Sequence, residues 1–266
     1  MIRLALYRKE MKGSFKLMLV LAGVITLYVC VIVGMYDPEL VGILNRFYEA
    51  MPEWMDAVGM KPGASDLMGF LISYLYGMIL LVFPMLFSIL RANGLVAKYV
   101  DRGSMGALLA APVRRGKIAS TQMWVLISGI VLLVAYITAL EYVAAEVIFP
   151  GELDWQALLR VNGGLLCLQL LIGSICFFFS CLCSEVKWSL VFGAGVPVVM
   201  LFLQMLANMG GQAECARYFT FFTLFDPATI AAHRPGAYLG MGILLLEAAA
   251  LYGLAIAVFC RKDLSI

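Results

Sequence analysis

Six uninterrupted apolar runs decide what this chain can become. They lie at about 17–36, 67–90, 118–140, 161–183, 188–209 and 238–260. A helix needs ~20 mainly apolar residues to cross the ~30 Å hydrocarbon core of a bilayer, and each run meets that length. Inside a bilayer every backbone N–H and C=O must be bonded within the protein, so spanning runs of this kind are helices. Composition agrees. Hydrophobic residues make up 63% of the 266 residues and charged residues 14%, where a soluble domain carries ~25% charged residues; mean hydropathy is +0.95. The predicted fold class is an all-α integral membrane protein with six transmembrane helices in one domain, 1–266. The basic start (Arg3, Arg8, Lys9, Lys12, Lys16) precedes a run too long for a signal peptide and without a small-x-small cleavage site, so it reads as a retained first span.

Charge orients the spans. The N-terminus, the 91–117 segment, the 184–187 turn and Arg261-Lys262 together hold 14 of the 19 Lys and Arg. The segments 37–66, 141–160 and 210–237 hold 12 of the 17 acids. By the positive-inside rule both termini are expected in the cytoplasm. The short Ser184–Lys187 turn makes the fourth and fifth spans an antiparallel hairpin.

The segment Arg91–Lys117 carries six basic residues, Arg91, Lys98, Arg102, Arg114, Arg115 and Lys117, and one acid, Asp101. Gly103 breaks a preceding helix, and Ser104 is a good N-cap. Met105, Leu108 and Leu109 share one helical face, and Pro112 ends it. The pattern predicts a short apolar-faced helix held out from the membrane. Two readings stand: a handle for another protein, or a helix resting on lipid headgroups with its arginines on phosphates.

Three other stretches carry expectations. Residues 1–16 read as an interfacial helix before the first span, or as a plain basic anchor. Leu40–Ala50 has apolar positions at roughly helical spacing and is expected over the outer mouth. The stretch 218–227, with Phe221, Phe222, Phe225, Asp226 and Pro227, is too apolar for a solvated loop and too broken to span. It reads as a pair of re-entrant helices, or as an aromatic belt at headgroup depth.

Catalytic signatures are missing. His233 is the one histidine. Gly116-Lys117 lacks the glycine that a phosphate-binding loop needs, Ala111 standing in its place. No nucleophile elbow, paired-carboxylate site or metal-ligand spacing appears, and the basic segment lacks the aromatic interleaving of a nucleic-acid surface. The chain reads as a non-enzyme without a cofactor or metal of its own. Of the seven cysteines, six lie in or at the edges of spans, where Cys behaves as a small apolar residue. Glu247 stands out as an ionisable residue near the middle of the sixth span, where a charge costs ~2.5–3.5 kcal/mol. It reads either as a polar spot on a translocation or proton pathway, or as a protonated acid bonded to Gln169, Gln204 or a partner helix. A self-sufficient ion-coupled carrier using Glu247 is the main alternative function.

The run Asp101-Arg102-Gly103-Ser104-Met105-Gly106-Ala107-Leu108-Leu109-Ala110-Ala111-Pro112-Val113-Arg114-Arg115 resembles the cytoplasmic loop of type-two ABC exporter permeases. In that family an acid and a base precede Gly-Thr/Ser, then come a Leu-Leu pair, a small residue, Pro and a base. Tyr7–Lys12 looks like the family's N-terminal interfacial helix, and Arg261-Lys262-Asp263-Leu264 like its C-terminal end. Where the family often has an acid two residues after Gly-Thr, this chain has Gly106. The resemblance implies a coupling helix between spans 2 and 3 that docks on separate ATPase subunits, through Asp101, Arg102, Gly103, Ser104, Met105, Leu108, Leu109, Pro112, Arg114 and Arg115. It also implies ATP and Mg on those partners, a second copy or a related permease chain, and a bacterial plasma membrane.

Overall fold

The computed structural model describes residues 4–36, 46, 48–60, 66–104 and 114–262. Met105, Leu108, Leu109 and Pro112, and most of the helix expected at Leu40–Ala50, lie outside the described residues. Within them the chain is helical: α1 (Leu4–Gly34), α2 (Pro52–Ala57), α3 (Leu67–Tyr74), α4 (Ile79–Leu95), α5 (Ala97–Asp101), α6 (Arg115–Ile148), α7 (Trp155–Leu182), α8 (Val186–Asn208), α9 (Pro227–Ala231) and α10 (Pro235–Arg261). Six helices are long and apolar enough to cross a membrane, α4 and α5 counting together.

α7 is the hub, packing against α4, α6, α8 and α10. It buries residues all round rather than on one stripe. Its small residues make this possible, because a missing side chain lets helices approach closely in lipid. A Cβ on Gly173 would lie 2.6 Å from Ile130 Cδ1 and 2.9 Å from the Tyr252 oxygen. On the facing helix Gly193 sits over Cys176, whose Sγ donates to the Gly193 carbonyl at 3.2 Å. α1, α8 and α10 bury only one stripe each. On α8 that stripe is Ser189, Gly193, Pro197 and Leu201, while Val191, Phe192, Val199 and Phe202 face outward. Apolar residues on the outward side are what a lipid-facing helix presents.

Two expectations change. The basic start is not a separate helix. It continues into the first span as one 31-residue helix, about 46 Å long at ~1.5 Å per residue. Leu, Arg, Lys, Glu and Met sustain it, and its inward stripe runs unbroken through Leu6, Glu10 and Ser14 to Leu21. The second span is not one helix over 67–90. It breaks between α3 and α4, where the backbone after α2 presses on Gly77: a Cβ there would lie 2.6 Å from the Val58 carbonyl oxygen. The membrane-length stretch is instead Ile79–Asp101, bent at Val96. Ser180 supports that bend. Its Oγ accepts from the Ala97 N–H at 3.0 Å and donates to the Ala92 carbonyl at 2.8 Å, a side chain inserted into the helical ladder.

Between α8 and α10 the chain forms 3₁₀ turns at Gly211–Phe219 and Phe221–Leu224, then α9. This segment dips into the bundle end. Thr220 Oγ1 donates to the Met200 carbonyl at 3.0 Å, eight residues or ~12 Å before the end of α8. Phe222, Phe225 and Ile230 are buried, whereas Tyr218 and Phe219 are exposed. A Cβ on Gly164 would lie 2.6 Å from Ile230 Cδ1 and 3.1 Å from the Phe225 ring, and one on Gly240 would lie 2.6 Å from the Leu224 carbonyl oxygen. Glycine at both positions seats the segment. Asp226 caps α9 by accepting from the Ala228 and Thr229 N–H groups, with Pro227 at the first turn.

Candidate functional site

Apolar helices leave few places for chemistry, so the buried polar groups locate the site. Two clusters of them lie at opposite ends of the bundle.

At the end carrying the basic segments, α1 is tied to α4 and α5. Arg91 Nη2 donates to Glu10 Oε2 at 2.6 Å and to the Glu10 carbonyl at 2.7 Å. The Tyr99 hydroxyl donates to Glu10 Oε1 at 2.5 Å, and Lys9 Nζ lies 5.9 Å from the Tyr99 ring centre. Glu10 and Arg91 side chains are 7% and 12% exposed, so this is an enclosed ion pair with its carboxylate bonded on both oxygens. Arg91 opens the basic segment of the sequence, and Tyr99 sits on α5 at its root. Asp101 ends α5; Arg102 and Gly103 follow, Gly103 at φ +65°. Asp101, Arg102, Gly103 and Ser104 are all exposed. Ser104 Oγ donates back to the Tyr99 carbonyl at 3.3 Å.

The segment's other root is also fastened. Arg115 Nη1 donates to the Lys262 carbonyl at 3.0 Å, and Lys262 Nζ donates to the Leu182 carbonyl at 2.9 Å and the Cys181 carbonyl at 3.3 Å. A cation on the last carbonyls of a helix completes their bonding. Burial holds the Lys262 ammonium below its ordinary pKa. Arg114, one residue earlier, is exposed.

At the opposite end a cleft of about 410 Å³ opens between the α2 loop, the α3–α4 break, the end of α8 and the 214–228 segment. Asp56, Glu214, Asp226 and Arg217 line it together with Tyr76, Phe222 and Phe225. Tyr48 donates to Asp56 Oδ1 at 2.9 Å, a bond that holds its phenol above the ordinary pKa, with burial adding. Tyr76, almost fully buried, belongs to the cleft and to a cluster behind it. Its hydroxyl donates to Glu141 Oε2 at 2.8 Å. Asn162 Nδ2 lies 2.8 Å from that same oxygen and 2.7 Å from the Tyr76 oxygen. Glu141 is fully buried.

The apolar run read as the third span ends at Leu140, one residue short of Glu141. The helix runs on to Ile148, so Glu141 lies inside a spanning helix, and Glu247 is not the only internal acid. Its signal was the run Leu140–Ile148, which stays apolar apart from Glu141 and Glu146. Glu247 itself is exposed on α10. Neither glutamine expected beside it is turned that way: Gln169 Nε2 donates to the Leu81 carbonyl, and Gln204 bonds Asn208 and Thr223. Of the aromatic stretch, Phe222, Phe225, Asp226 and Pro227 reach the cleft and Phe221 stacks on Phe222. Among the described residues no group of three or more His, Cys, Asp or Glu is placed to hold a metal.

No family model, no curated protein and no solved structure matches this chain.

Proposed function

We propose that this chain is the membrane subunit of a type-two ABC exporter. Two copies, or this chain with a related one, form the pathway, and separate ATPase subunits carry ATP and Mg. The observation that carries the reading is the bracing of the basic segment at both roots. Glu10, Arg91 and Tyr99 join α1, α4 and α5 at one root; Arg115, Lys262 and the end of α7 join α6, α7 and α10 at the other. A push delivered to both roots therefore reaches five of the six spanning helices through these bonds. A lipid-resting helix has no need of such anchoring.

On this reading the basic end is cytoplasmic and Met105, Leu108 and Leu109 pack into a groove on the ATPase. ATP-driven closure moves the spans against each other, and the 218–231 segment re-enters the outer leaflet. Apolar walls suit an apolar or amphipathic substrate such as a peptide antibiotic, a lipid or a drug-like compound. A second reading, a self-sufficient ion-coupled carrier, draws on one observation, the buried Glu141 cluster behind the cleft.

A photo-crosslinking residue placed at Leu109 in native membranes tests the docking. The expected adduct is a protein whose peptides contain a Walker lysine motif. Adducts with lipid alone overturn the reading.

A further inference from the structure

We propose that the Tyr76–Glu141–Asn162 cluster is a proton-binding site, in which Glu141 carries a proton that Tyr76 exchanges with the adjacent cleft. This stands apart from the ATPase reading and holds whether or not an ATPase docks.

Among the described residues, two atoms of the cluster have no hydrogen-bond partner, Glu141 Oε1 and Asn162 Oδ1. Both are acceptors while Glu141 is ionised, and both are buried. An unpaired buried acceptor costs free energy, and an uncompensated buried charge costs much more. One proton removes both problems. Asn162 Nδ2 already lies 2.8 Å from Glu141 Oε2, which is half of a cyclic acid–amide pair. The other half is an O–H from the second carboxyl oxygen to the amide oxygen, and it requires the same two atoms now left over. A proton on Oε1 converts two orphaned acceptors into one donor and one acceptor.

Among the described residues no ion pair joins Glu141. Its hydrogen-bond partners are Tyr76 and Asn162. Arg160, on the same helix as Asn162, is turned to the Ala231 carbonyl at 3.1 Å and to Asp154 at 3.7 Å. On α6 the neighbours Tyr142 and Glu146 point outward, exposed. At the end of α1, Tyr36 packs edge-on against Phe70 and Phe149. On α3, Tyr74 packs on Phe70, and Asp66 caps the helix through Gly69.

The route follows from Tyr76, which lines the cleft and bonds Glu141. Its hydroxyl passes its own proton to Oε2 while its oxygen accepts one from a hydronium ion in the cleft, which leaves as water, so the tyrosine ends neutral. A half-turn of the carboxyl then presents the O–H to Asn162. Glu141 lies seven residues before Ile148 and Asn162 seven after Trp155, so both sit ~10 Å inside their helix ends. That depth is sheltered from bulk solvent yet within reach of the cleft floor.

Infrared spectroscopy of the full chain in lipid nanodiscs, at neutral pH and after exchange into D₂O, tests this. The expected result is a protonated-carboxyl band that persists in Glu247→Gln, disappears in Glu141→Gln, and changes frequency in Asn162→Leu. In Tyr76→Phe the band remains, and its D₂O shift slows at least tenfold. Asn162→Leu keeps the test decisive if Glu141→Gln does not fold. Absence of the band, its loss in Glu247→Gln alone, or an unchanged frequency in Asn162→Leu overturns the proton site. Wild-type exchange speed in Tyr76→Phe overturns the route.

Discussion

Removing Arg91 strands the Glu10 carboxylate in a buried place with Tyr99 as its remaining side-chain donor. Breaking an enclosed pair by deleting one partner typically costs ~3–5 kcal/mol. Arg91→Ala is therefore expected to lower the thermal unfolding midpoint of the purified protein strongly, read by tryptophan fluorescence in detergent. Replacing both partners, as Glu10→Gln with Arg91→Met, removes the stranded charge and is expected to recover much of that loss. If the double variant is as unstable as Arg91→Ala, the carboxylate is not what makes the single variant fail. The pair itself was not legible in the sequence. Its members are 81 residues apart, and Glu10 stands in a run of lysines and arginines that reads as a membrane-surface face. Glu141 escaped for a different reason: hydropathy marks where a run stops being apolar, and a helix whose flank packs on neighbours runs further.

At the scale of elements, glycine decides what packs where. Gly164 leaves room for Ile230 and Phe225, so the segment after α8 can lie against α7. Gly164→Val is expected to cost ~1–3 kcal/mol, the usual range for overpacking, and to lift that segment. With the native cysteines replaced, Phe222→Cys reports this, because Phe222 is 2% exposed. Maleimide labelling is expected to be slow in that variant and at least tenfold faster once Gly164→Val is added. Equal rates mean the segment does not depend on the Gly164 contact. The six apolar runs were legible because a bilayer imposes length and hydropathy on each run separately. The break before α4 was not, since the closest approach to Gly77 comes from Val58, which the fold brings to it. The aromatic stretch announced that it was neither loop nor span, and its contacts with α7, α8 and α10 show what it packs on.

For the whole molecule, topology comes first. A cysteine introduced at Arg115 is expected to resist a membrane-impermeant maleimide in intact cells and to label only in permeabilised ones. Labelling from outside reverses the orientation and removes the basic segment from the reach of any ATPase. The central claim is that force enters between Ser104 and Arg114 and spreads through the bracing at both roots. Burying a leucine is worth roughly 1.5–3 kcal/mol, so a charge at Leu108 strikes the proposed contact itself while leaving the spans intact. The direct measurement is ATP hydrolysis by the complex purified through this chain and reconstituted in nanodiscs, wild type beside Leu108→Asp at equal membrane levels. The account predicts that wild type brings down an ATPase with hydrolytic activity, and that Leu108→Asp inserts normally but loses the ATPase or its substrate-stimulated rate. Undiminished co-purification with unchanged stimulated hydrolysis in Leu108→Asp would contradict it.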